Sequence, residues 1–322
     1  MPQSDAIWYV GKDAVEIRPS ELASAPGLLR VAARFSGVSR GTERLVSAGH
    51  VPVSEHERMR CPHQEGAFPF PVKYGYAMVG VVEDGPKDRI GENVFLLHPH
   101  QKIAAVEPSW VHTLPADLPL RRAALAANME TALNVSWDAE AAPGDHILII
   151  GGGVLGLLTA GVLAQMPGTV VTVIDINPAR KAVAEKMGAA FALPAAAPKD
   201  QDIVIHTSAT GEGLRLGLES AGTEARVVEA SWYGDKEVSV ALGGAFHSRR
   251  LTLLSSQVGA VPTSRRARWT TARRMAKALE LLRDPRFDAL ITGEIAFADA
   301  PTALPKVFAA DSPGLMTVLR YT

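Results

Sequence analysis

The sequence has few of the features that mark several classes of protein. It carries one cysteine, Cys61, in 322 residues, which excludes an intrachain disulfide and a zinc site built on several thiolates. No block of like charge occurs, and the formal net charge is −1, so no nucleic-acid partner is predicted. No apolar run approaches the about 20 residues of a membrane span, so no membrane partner is predicted either. These absences favour a cytoplasmic protein that binds a small molecule.

Two kinds of pattern follow one another along the chain. Up to residue 121, short β-like runs alternate with turns and one long irregular segment at 47–75, as is typical of antiparallel sheet. From 122 to 262, strand-like and helix-like runs alternate, which predicts a parallel, doubly wound sheet. An amphipathic segment and two β-like runs from 263 onward indicate a return to the first part. The sequence therefore predicts an α/β protein with domains 1–121 plus 263–322 and 122–262.

A glycine-rich run lies between an apolar strand and an apolar helix in the second domain. Gly151, Gly153 and Gly156 have G-x-G-x-x-G spacing. The first glycine permits a tight turn, the second lets the backbone approach a pyrophosphate, and the third lets the helix pack on the strand. The helix start offers free N–H groups and a positive dipole end to phosphates. We expect these glycines, with Val154 and Leu155 between them, to bind a dinucleotide.

The next strand-like run, TVVTVID, ends in Asp175, about 20 residues beyond the glycines. A carboxylate at that place accepts hydrogen bonds from the adenosine ribose and repels a 2′-phosphate. NAD is therefore expected as cofactor rather than NADP. Arg180, a few residues later, is the side chain that could offset the repulsion. The alternative is that the glycines only shape a turn and Asp175 only caps the following helix.

The domain order and three motifs resemble the medium-chain dehydrogenase/reductase superfamily along essentially the whole chain. FSGVSRGTERLVSAG (35–49) is similar to the family's G-x-C-G-T-D segment, KYGYAMVGVV (73–82) to its G-H-E-x-x-G-x-V, and residues 289–321 to its closing segment. The resemblance implies a β-rich, GroES-like catalytic domain, a Rossmann domain and an NAD(P)-dependent dehydrogenase. S-G-x-S-x-G-T-E followed by G-Y resembles the branch with the bacteriochlorophyllide dehydrogenases, which oxidise a hydroxyethyl side chain on a macrocycle.

The sequence departs from this family where the family carries its catalytic zinc. Such a site needs a thiolate, an imidazole and a third ligand. The residues at the matched positions are Ser39 or Arg40 for the thiolate, Tyr76 for the imidazole with Ala77 for the acid beside it, and Met129 or Glu130 for the third ligand. The lobe with four structural cysteines is also missing. We therefore expect no catalytic zinc.

The irregular segment offers other metal-binding side chains. They are His50, His56, Cys61, His63 and Glu65. Their spacing fits no zinc pattern, and a long loop with scattered histidines more often covers a substrate cleft. No metal is expected there either.

Without a metal, hydride transfer needs hydrogen-bonding groups at the reacting oxygen. The resemblance gives Thr42 the place of the family's proton-relaying hydroxyl and Tyr76 that of an imidazole ligand. His98 and His100 follow a strand-like run whose end lies near the cleft in this fold. Tyr76 either donates to the reacting oxygen or fills the space that the metal leaves. Each histidine either serves the reaction or is a hydrogen-bonded structural residue.

Two basic residues are candidates for binding an anionic part of the substrate. Arg40 carries forked donors that suit a planar carboxylate, and Lys73 supplies a point charge. The alternative is that both side chains face solvent or pair with Glu43 and Glu65, and for Lys73 we expect this second arrangement.

Three functions fit these patterns, because a fold does not fix a substrate. The first is a metal-independent, NAD-linked dehydrogenase of an activated alcohol, such as one beside a conjugated ring. The second is an NADPH-dependent reductase of conjugated carbonyls or quinones, which Asp175 opposes. The third is a non-catalytic nucleotide-binding protein, which Thr42 and the intact glycine loop oppose.

RRLTLLSSQVG (249–259) looks like the edge strand through which family members pair, so a homodimer is expected.

Overall fold

The computed structural model describes residues 2–322, which divide into two compact units. The β-rich unit runs to Ala127 and resumes at Leu279, and the parallel-sheet unit lies between them. The sequence placed these boundaries near 121/122 and 262/263, whereas the structure places both inside helices, Ala126–Asp138 and Thr271–Leu281. Among the described helices, none has the length and apolar character needed to cross a membrane.

Strands dominate the first unit, and strands and helices alternate in the second. In chain order the strands are β1 Gln3–Gly11, β2 Ala14–Glu21, β3 Leu29–Val38, β4 Glu65–Gly66, β5 Val72–Lys73, β6 Met78–Asp84, β7 Asn93–Leu96, β8 Ile103–Val106, β9 His112–Thr113, β10 His146–Ile150, β11 Val170–Ile174, β12 Ala190–Ala192, β13 Gln201–His206, β14 Ala221–Glu229, β15 Thr252–Ser255, β16 Ile291–Ala296 and β17 Met316–Arg320. The helices are α1 Arg40–Ala48, α2 Leu120–Ala123, α3 Ala126–Asp138, α4 Val154–Leu163, α5 Lys181–Lys186, α6 Gly211–Ser220, α7 Thr271–Leu281 and α8 Ala300–Phe308.

The β-rich unit is built from two sheets within the described residues. One has the strand order β2-β1-β5-β4, and the other has the order β16-β17-β3-β6-β7-β9 with β8 also paired to β3. All pairs are antiparallel except β16 with β17. The first part of the chain is therefore mostly antiparallel, as its short runs and turns predicted, and the C-terminal strands join it.

The parallel-sheet unit has the strand order β12-β11-β10-β13-β14-β15 across residues 128–278, all of them described. Counted from its own first strand this is the order 3-2-1-4-5-6 of a Rossmann fold. The strands read as nearly continuous apolar runs because helices cover such sheets on both faces. Leu148, Ile150, Val204 and Val227 belong to the buried cluster beneath one set of helices. The doubly wound sheet that the alternation predicted is confirmed.

A buried ion pair joins α3 to α7 within the parallel-sheet unit. Nε of Arg274, a side chain only 2% exposed, donates to the Glu130 carboxylate at 3.0 Å. The same guanidinium contacts the side chain of Asn134 and donates to the Val258 carbonyl at 2.6 Å. Burial raises the pKa of Glu130, and the charge of Arg274 opposes that rise. Glu130, one of the residues matched to a zinc-ligand position, is thus committed to Arg274.

Removing the cation should therefore destabilise this unit strongly. In Arg274→Met the Glu130 carboxylate stays buried without its partner, and we expect the free energy of unfolding to fall by about 3–5 kcal/mol. Urea denaturation measures the loss. The double variant Arg274→Met/Glu130→Met should recover much of it, because no charge is left buried. A single variant as stable as the parent would contradict this account.

Candidate functional site

The glycine loop of the parallel-sheet unit has the geometry that its spacing predicted. Gly151 has φ of +112°, and a Cβ at that position would lie 2.7 Å from Oγ1 of Thr207. A Cβ on Gly156 would lie 2.0 Å from the carbonyl oxygen of Gly151, so only glycine lets α4 approach β10 this closely. Helix α4 begins at Val154, and Gly153 before it has no side chain to cap the first N–H groups. These N–H groups form a suitable site for a phosphate.

Asp175 follows β11 and lies against this loop. Its Oδ2 accepts a hydrogen bond from the Gly152 N–H at 2.7 Å, and its Oδ1 accepts one from the Asn177 N–H at 2.8 Å. A Cβ on Gly152 would also lie 3.2 Å from Cβ of Arg180. The structure therefore brings the glycines, Asp175 and Arg180 together, and the two backbone bonds fix the direction of the Asp175 carboxylate.

A polar network at the carboxyl ends of β13 and β14 was missed at the sequence level. Nδ1 of the fully buried His206 lies 2.7 Å from Oε2 of Glu229, and its Nε2 lies 2.6 Å from Oγ of Ser208. The Tyr233 hydroxyl donates to the same carboxylate at 2.9 Å. Burial alone would raise the pKa of Glu229, but the hydrogen bond and charge of His206 bring it below its ordinary value. Parallel sheets of this kind bind ligands at the carboxyl ends of their strands. In the sequence, the only indication of this network was His206, which ends the strand-like run DIVIH.

In the β-rich unit, the hydroxyl groups of Ser39 and Tyr76, at sequence positions matched to zinc ligands, lie near that of Thr42, at the position matched to the proton-relaying hydroxyl. The side chains of Ser39 and Thr42, at the start of α1, lie near the hydroxyl of Tyr76, and hydrogen bonding from them would lower its pKa. Burial raises the pKa of Tyr76 to about 12 despite this effect. The turn before Tyr76 requires glycine, because Gly75 has φ of +121° and a Cβ there would lie 2.8 Å from the His100 ring.

A fully buried carboxylate, Glu43, lies beneath this cluster. It accepts hydrogen bonds from the Tyr9 hydroxyl at 2.7 Å, from Nε2 of His100 at 2.9 Å and from the Ser39 N–H at 2.7 Å. Burial would raise the pKa of Glu43, but the charge and hydrogen bond of His100, with the bonds from Tyr9 and Ser39, hold it below its usual range. Nδ1 of His100 lies 2.7 Å from Oγ of Ser36. Both ring nitrogens of His100 therefore take part in hydrogen bonds within the protein. This is the arrangement of a hydrogen-bonded structural residue, one of the two roles considered for His100.

Arg40 contacts backbone carbonyl groups, and its role toward a substrate remains a prediction. Its guanidinium donates to the Gly314 carbonyl at 3.0 Å and to the Ala309 carbonyl at 3.1 Å. It does not pair with Glu43, whose oxygens are taken by other donors. Arg40 therefore ties the start of α1 to the segment before β17, and sequence reasoning missed this because the partners are backbone groups far along the chain.

Lys73 and His98 are both buried. The Lys73 ammonium pairs with the Glu65 carboxylate, as expected for this lysine. Nδ1 of His98 lies 3.0 Å from the Pro99 carbonyl oxygen, so this nitrogen carries the proton and donates. Burial lowers the pKa of His98 to about 3. A neutral imidazole of this kind can take part in hydrogen bonds but does not exchange protons near pH 7.

No group of three or more His, Cys, Asp or Glu side chains within residues 2–322 is arranged to hold a metal ion. Burial raises the pKa of Cys61 to about 12, so this thiol stays protonated. The absence of a catalytic zinc remains a prediction that elemental analysis can test.

The low pKa of His98 has a consequence for acid stability. The unfolded chain takes up a proton on His98 below about pH 6.5, whereas the folded chain does not until about pH 3. Stability should therefore fall as the pH decreases through this window. In His98→Gln the free energy of unfolding should fall less steeply, by up to about 1.4 kcal/mol per pH unit.

Urea denaturation at a series of pH values between 6.5 and 4 measures this slope. His247→Gln serves as the control, because His247 is exposed, and its slope should equal that of the parent. Equal slopes for all three proteins would show that His98 titrates normally when folded.

Comparisons with known proteins agree with this geometry. The family model described as Alanine dehydrogenase/PNT, C-terminal domain, matches residues 137–212, which include the glycine loop. Galactitol 1-phosphate 5-dehydrogenase of Escherichia coli (strain K12) is 24% identical over 188 residues, which are 54% of this chain and 54% of that protein. The chain thus matches about half the length of this relative.

Two solved structures share the fold over nearly the whole chain. Galactitol-1-phosphate dehydrogenase from Escherichia coli has a TM-score of 0.80 and 16% identity, covering 98% of this chain and 99% of its own. A short chain alcohol dehydrogenase from Escherichia coli CFT073, complexed with the cofactor NADH, has a TM-score of 0.79 and 17% identity, covering 99% of both chains. At these identities the likeness shows the fold.

The fold is that of the alcohol dehydrogenases, with a β-rich domain and a Rossmann domain of dinucleotide-binding type. The sequence matches are to a dehydrogenase family model and to dehydrogenases, and the matched structures share the fold. The superfamily that the motifs predicted is therefore supported. The narrower resemblance to the bacteriochlorophyllide dehydrogenase branch remains a prediction.

Proposed function

We propose that the protein is an NAD(H)-linked oxidoreductase that transfers hydride between the nicotinamide and an alcohol or carbonyl substrate without a catalytic metal. The hydroxyl cluster of Ser39, Thr42 and Tyr76 is the observation that carries this proposal. Ser39 and Tyr76 stand at sequence positions matched to zinc ligands, and Thr42 stands at that of the proton-relaying hydroxyl. Together they offer hydrogen bonds where a zinc-dependent relative would offer a metal.

The residues of the glycine loop fit a dinucleotide. Gly151 and Gly156 leave space that a Cβ would fill, and the first N–H groups of α4 suit a pyrophosphate. Asp175 is fixed beside the loop, where it would accept hydrogen bonds from ribose hydroxyls. When bound, the nicotinamide supplies the hydride donor or acceptor.

Tyr76 would act as a hydrogen-bond donor to the reacting oxygen. With a pKa of about 12 its hydroxyl stays protonated near neutral pH, so it stabilises a carbonyl or alkoxide oxygen but does not act as a base. Thr42, in contact with it, both accepts and donates and could pass a proton onward. His98 and Cys61 are held in their neutral forms, with pKa values of about 3 and about 12. The hydroxyl groups are therefore the proton route that we propose.

The motif resemblance and the lack of a matched zinc-ligand set favour an activated alcohol, such as one beside a conjugated ring. Hydride loss from such a carbon is easier, so hydrogen bonds could replace the metal. The second candidate is an NADPH-dependent reductase of conjugated carbonyls or quinones. Its support is Arg180, which lies beside Gly152 and could contact a 2′-phosphate. A nucleotide-binding protein without turnover is the outcome if neither activity is found.

We also propose a homodimer formed through β15. This strand lies at the edge of the six-stranded sheet of residues 128–278, and its Leu253 and Leu254 are only half-buried. An apolar strand at a sheet edge is usually covered by a partner.

Cofactor preference tests the role of Asp175. We expect the parent to bind NADH more tightly than NADPH, because the fixed carboxylate would face the 2′-phosphate without a partner. In Asp175→Ser the preference should shrink by about tenfold or more, which is about 1.4 kcal/mol. Fluorescence titration of both reduced nucleotides measures it. Glu185→Gln, which changes an exposed carboxylate on α5, should leave the preference unaltered, and tighter NADPH binding by the parent would favour the reductase.

Turnover of Tyr76→Phe tests the proposed chemistry. Loss of a positioned donor to a developing oxyanion should lower kcat by roughly a hundredfold, with NADH affinity unchanged. Steady-state rates are measured on the best substrate from a screen of alcohols, enones and quinones. Tyr74→Phe, which removes a hydroxyl from the neighbouring ring, should stay within a few fold of the parent.

Two results would contradict the proposal. The first is near-normal turnover of Tyr76→Phe, which would leave the tyrosine with a packing role. The second is stoichiometric zinc in the purified protein that a chelator removes together with the activity.

A further inference from the structure

The peptide group between Gly151 and Gly152 is held at both of its polar atoms. Its oxygen, the carbonyl of Gly151, accepts a hydrogen bond from the Thr207 hydroxyl at 3.0 Å. Its nitrogen, the N–H of Gly152, donates to Oδ2 of Asp175 at 2.7 Å. Because a peptide group is planar, a change in the direction of the carbonyl also turns the N–H. The Thr207 hydroxyl and the Asp175 carboxylate are therefore linked through one rigid unit.

The fit of the Thr207 hydroxyl against the glycine loop depends on two glycines. A Cβ on Gly151 would lie 2.7 Å from Oγ1 of Thr207, and a Cβ on Gly156 would lie 2.9 Å from it. The same oxygen lies 3.2 Å from the Ile150 carbonyl, to which the Thr207 N–H also donates at 2.8 Å. Thr207 thus lies against the end of β10 and the first turn of α4, in space that the glycine spacing provides.

The turn between β13 and α6 that carries Thr207 is itself fixed. Oγ of Ser208 lies 2.6 Å from Nε2 of His206, and the Ala209 N–H donates to the Ser231 hydroxyl at 3.0 Å. Ala209 has φ of +52°, which residues other than glycine rarely adopt. Strain of this kind persists only where the surroundings hold it, and it clusters at active sites and ligand clamps. The turn therefore has the character of a segment that serves a ligand.

Thr169 has a hydroxyl with the same kind of partners but in another place. It precedes β11 and donates to the Leu163 and Met166 carbonyls at 2.8 and 2.9 Å. Thr169 lies at the amino end of its strand, whereas Thr207 and Asp175 follow the carboxyl ends of theirs. Both threonines hold main-chain carbonyls, but only Thr207 holds a peptide group that also bonds Asp175.

We propose that Thr207 is a positioning residue that sets the cofactor preference of the dinucleotide site. Its hydroxyl holds the Gly151–Gly152 peptide group, so that the Gly152 N–H keeps the Asp175 carboxylate in the direction that the ribose hydroxyls of NAD(H) require. This role rests on the proposed function, because it concerns a bound dinucleotide. It adds a residue that lies outside the glycine motif and acts through the main chain.

Fluorescence titration of NADH and NADPH into the full chain tests this role. Thr207→Val keeps the shape of the side chain without the hydroxyl and should weaken NADH binding roughly fivefold, as the loss of one hydrogen bond implies. NADPH binding should weaken less, because the carboxylate does not favour that nucleotide, so the preference for NADH shrinks. Thr207→Ser keeps the hydroxyl and should bind both nucleotides as the parent does.

Thr169→Val is the matched control for a loss of stability alone. Its urea midpoint should fall about as far as that of Thr207→Val, since the same kind of bonds is lost, while its NADH affinity stays that of the parent. In the protein without nucleotide, amide hydrogen exchange at residues 151–153 should be faster in Thr207→Val than in the parent and unchanged in Thr169→Val. Thr207→Ala, which also lacks the hydroxyl, replaces Thr207→Val in these measurements if the latter does not fold.

A double variant tests whether Thr207 acts through Asp175. In an Asp175→Ser background, Thr207→Val should leave the ratio of the two affinities almost unchanged, because the carboxylate that it positions is already gone. The role of Thr207 is overturned if Thr207→Val binds both nucleotides as the parent does, or if the effects of the two substitutions on this ratio simply add. A parent protein that binds neither reduced nucleotide would contradict the proposed function, and this role with it.

Discussion

The arrangement of the β-rich unit depends on the hydrogen-bond donors that surround the buried carboxylate of Glu43. A buried carboxylate is tolerated only when donors surround it, and here they come from Tyr9 on β1, from the backbone before α1 and from His100 between β7 and β8. These three segments are far apart in the chain, so one charge fixes where each must lie. The start of α1, which carries Ser39 and Thr42, is positioned by that requirement. The hydroxyl cluster is therefore a consequence of the buried carboxylate beneath it.

The parallel-sheet unit obeys a different constraint, which is close approach of backbone to backbone. Gly151 and Gly156 let β10, α4 and the Thr207 segment come within distances that any side chain would prevent. The polar groups then collect at the same sheet edge, where the strands end: Asp175 after β11, and His206 and Glu229 at the ends of β13 and β14. In the β-rich unit the polar groups are thus arranged around the charge of Glu43. In the parallel-sheet unit they are arranged beside glycines that let backbone segments lie close together.

This difference explains what the sequence could predict. The glycine loop, Asp175 and the order of strands were accessible because each is a local pattern whose meaning depends on neighbouring residues. The partners of Glu43, Arg274 and Arg40 were not accessible, because each joins segments more than 30 residues apart, and two of the three use backbone carbonyls. The unit boundaries lie inside α3 and α7, where no change in composition marks them in the sequence.

The contact between Gly75 and the His100 ring makes two distant positions depend on each other. Any side chain at position 75 would have to displace this imidazole, since a Cβ there would lie 2.8 Å from it. Displacing the imidazole would take a donor away from Glu43. The two positions can therefore change only together, and a related chain without glycine at the first should also lack histidine at the second. Among homologues, this pair should covary even though 25 positions separate its members in the sequence.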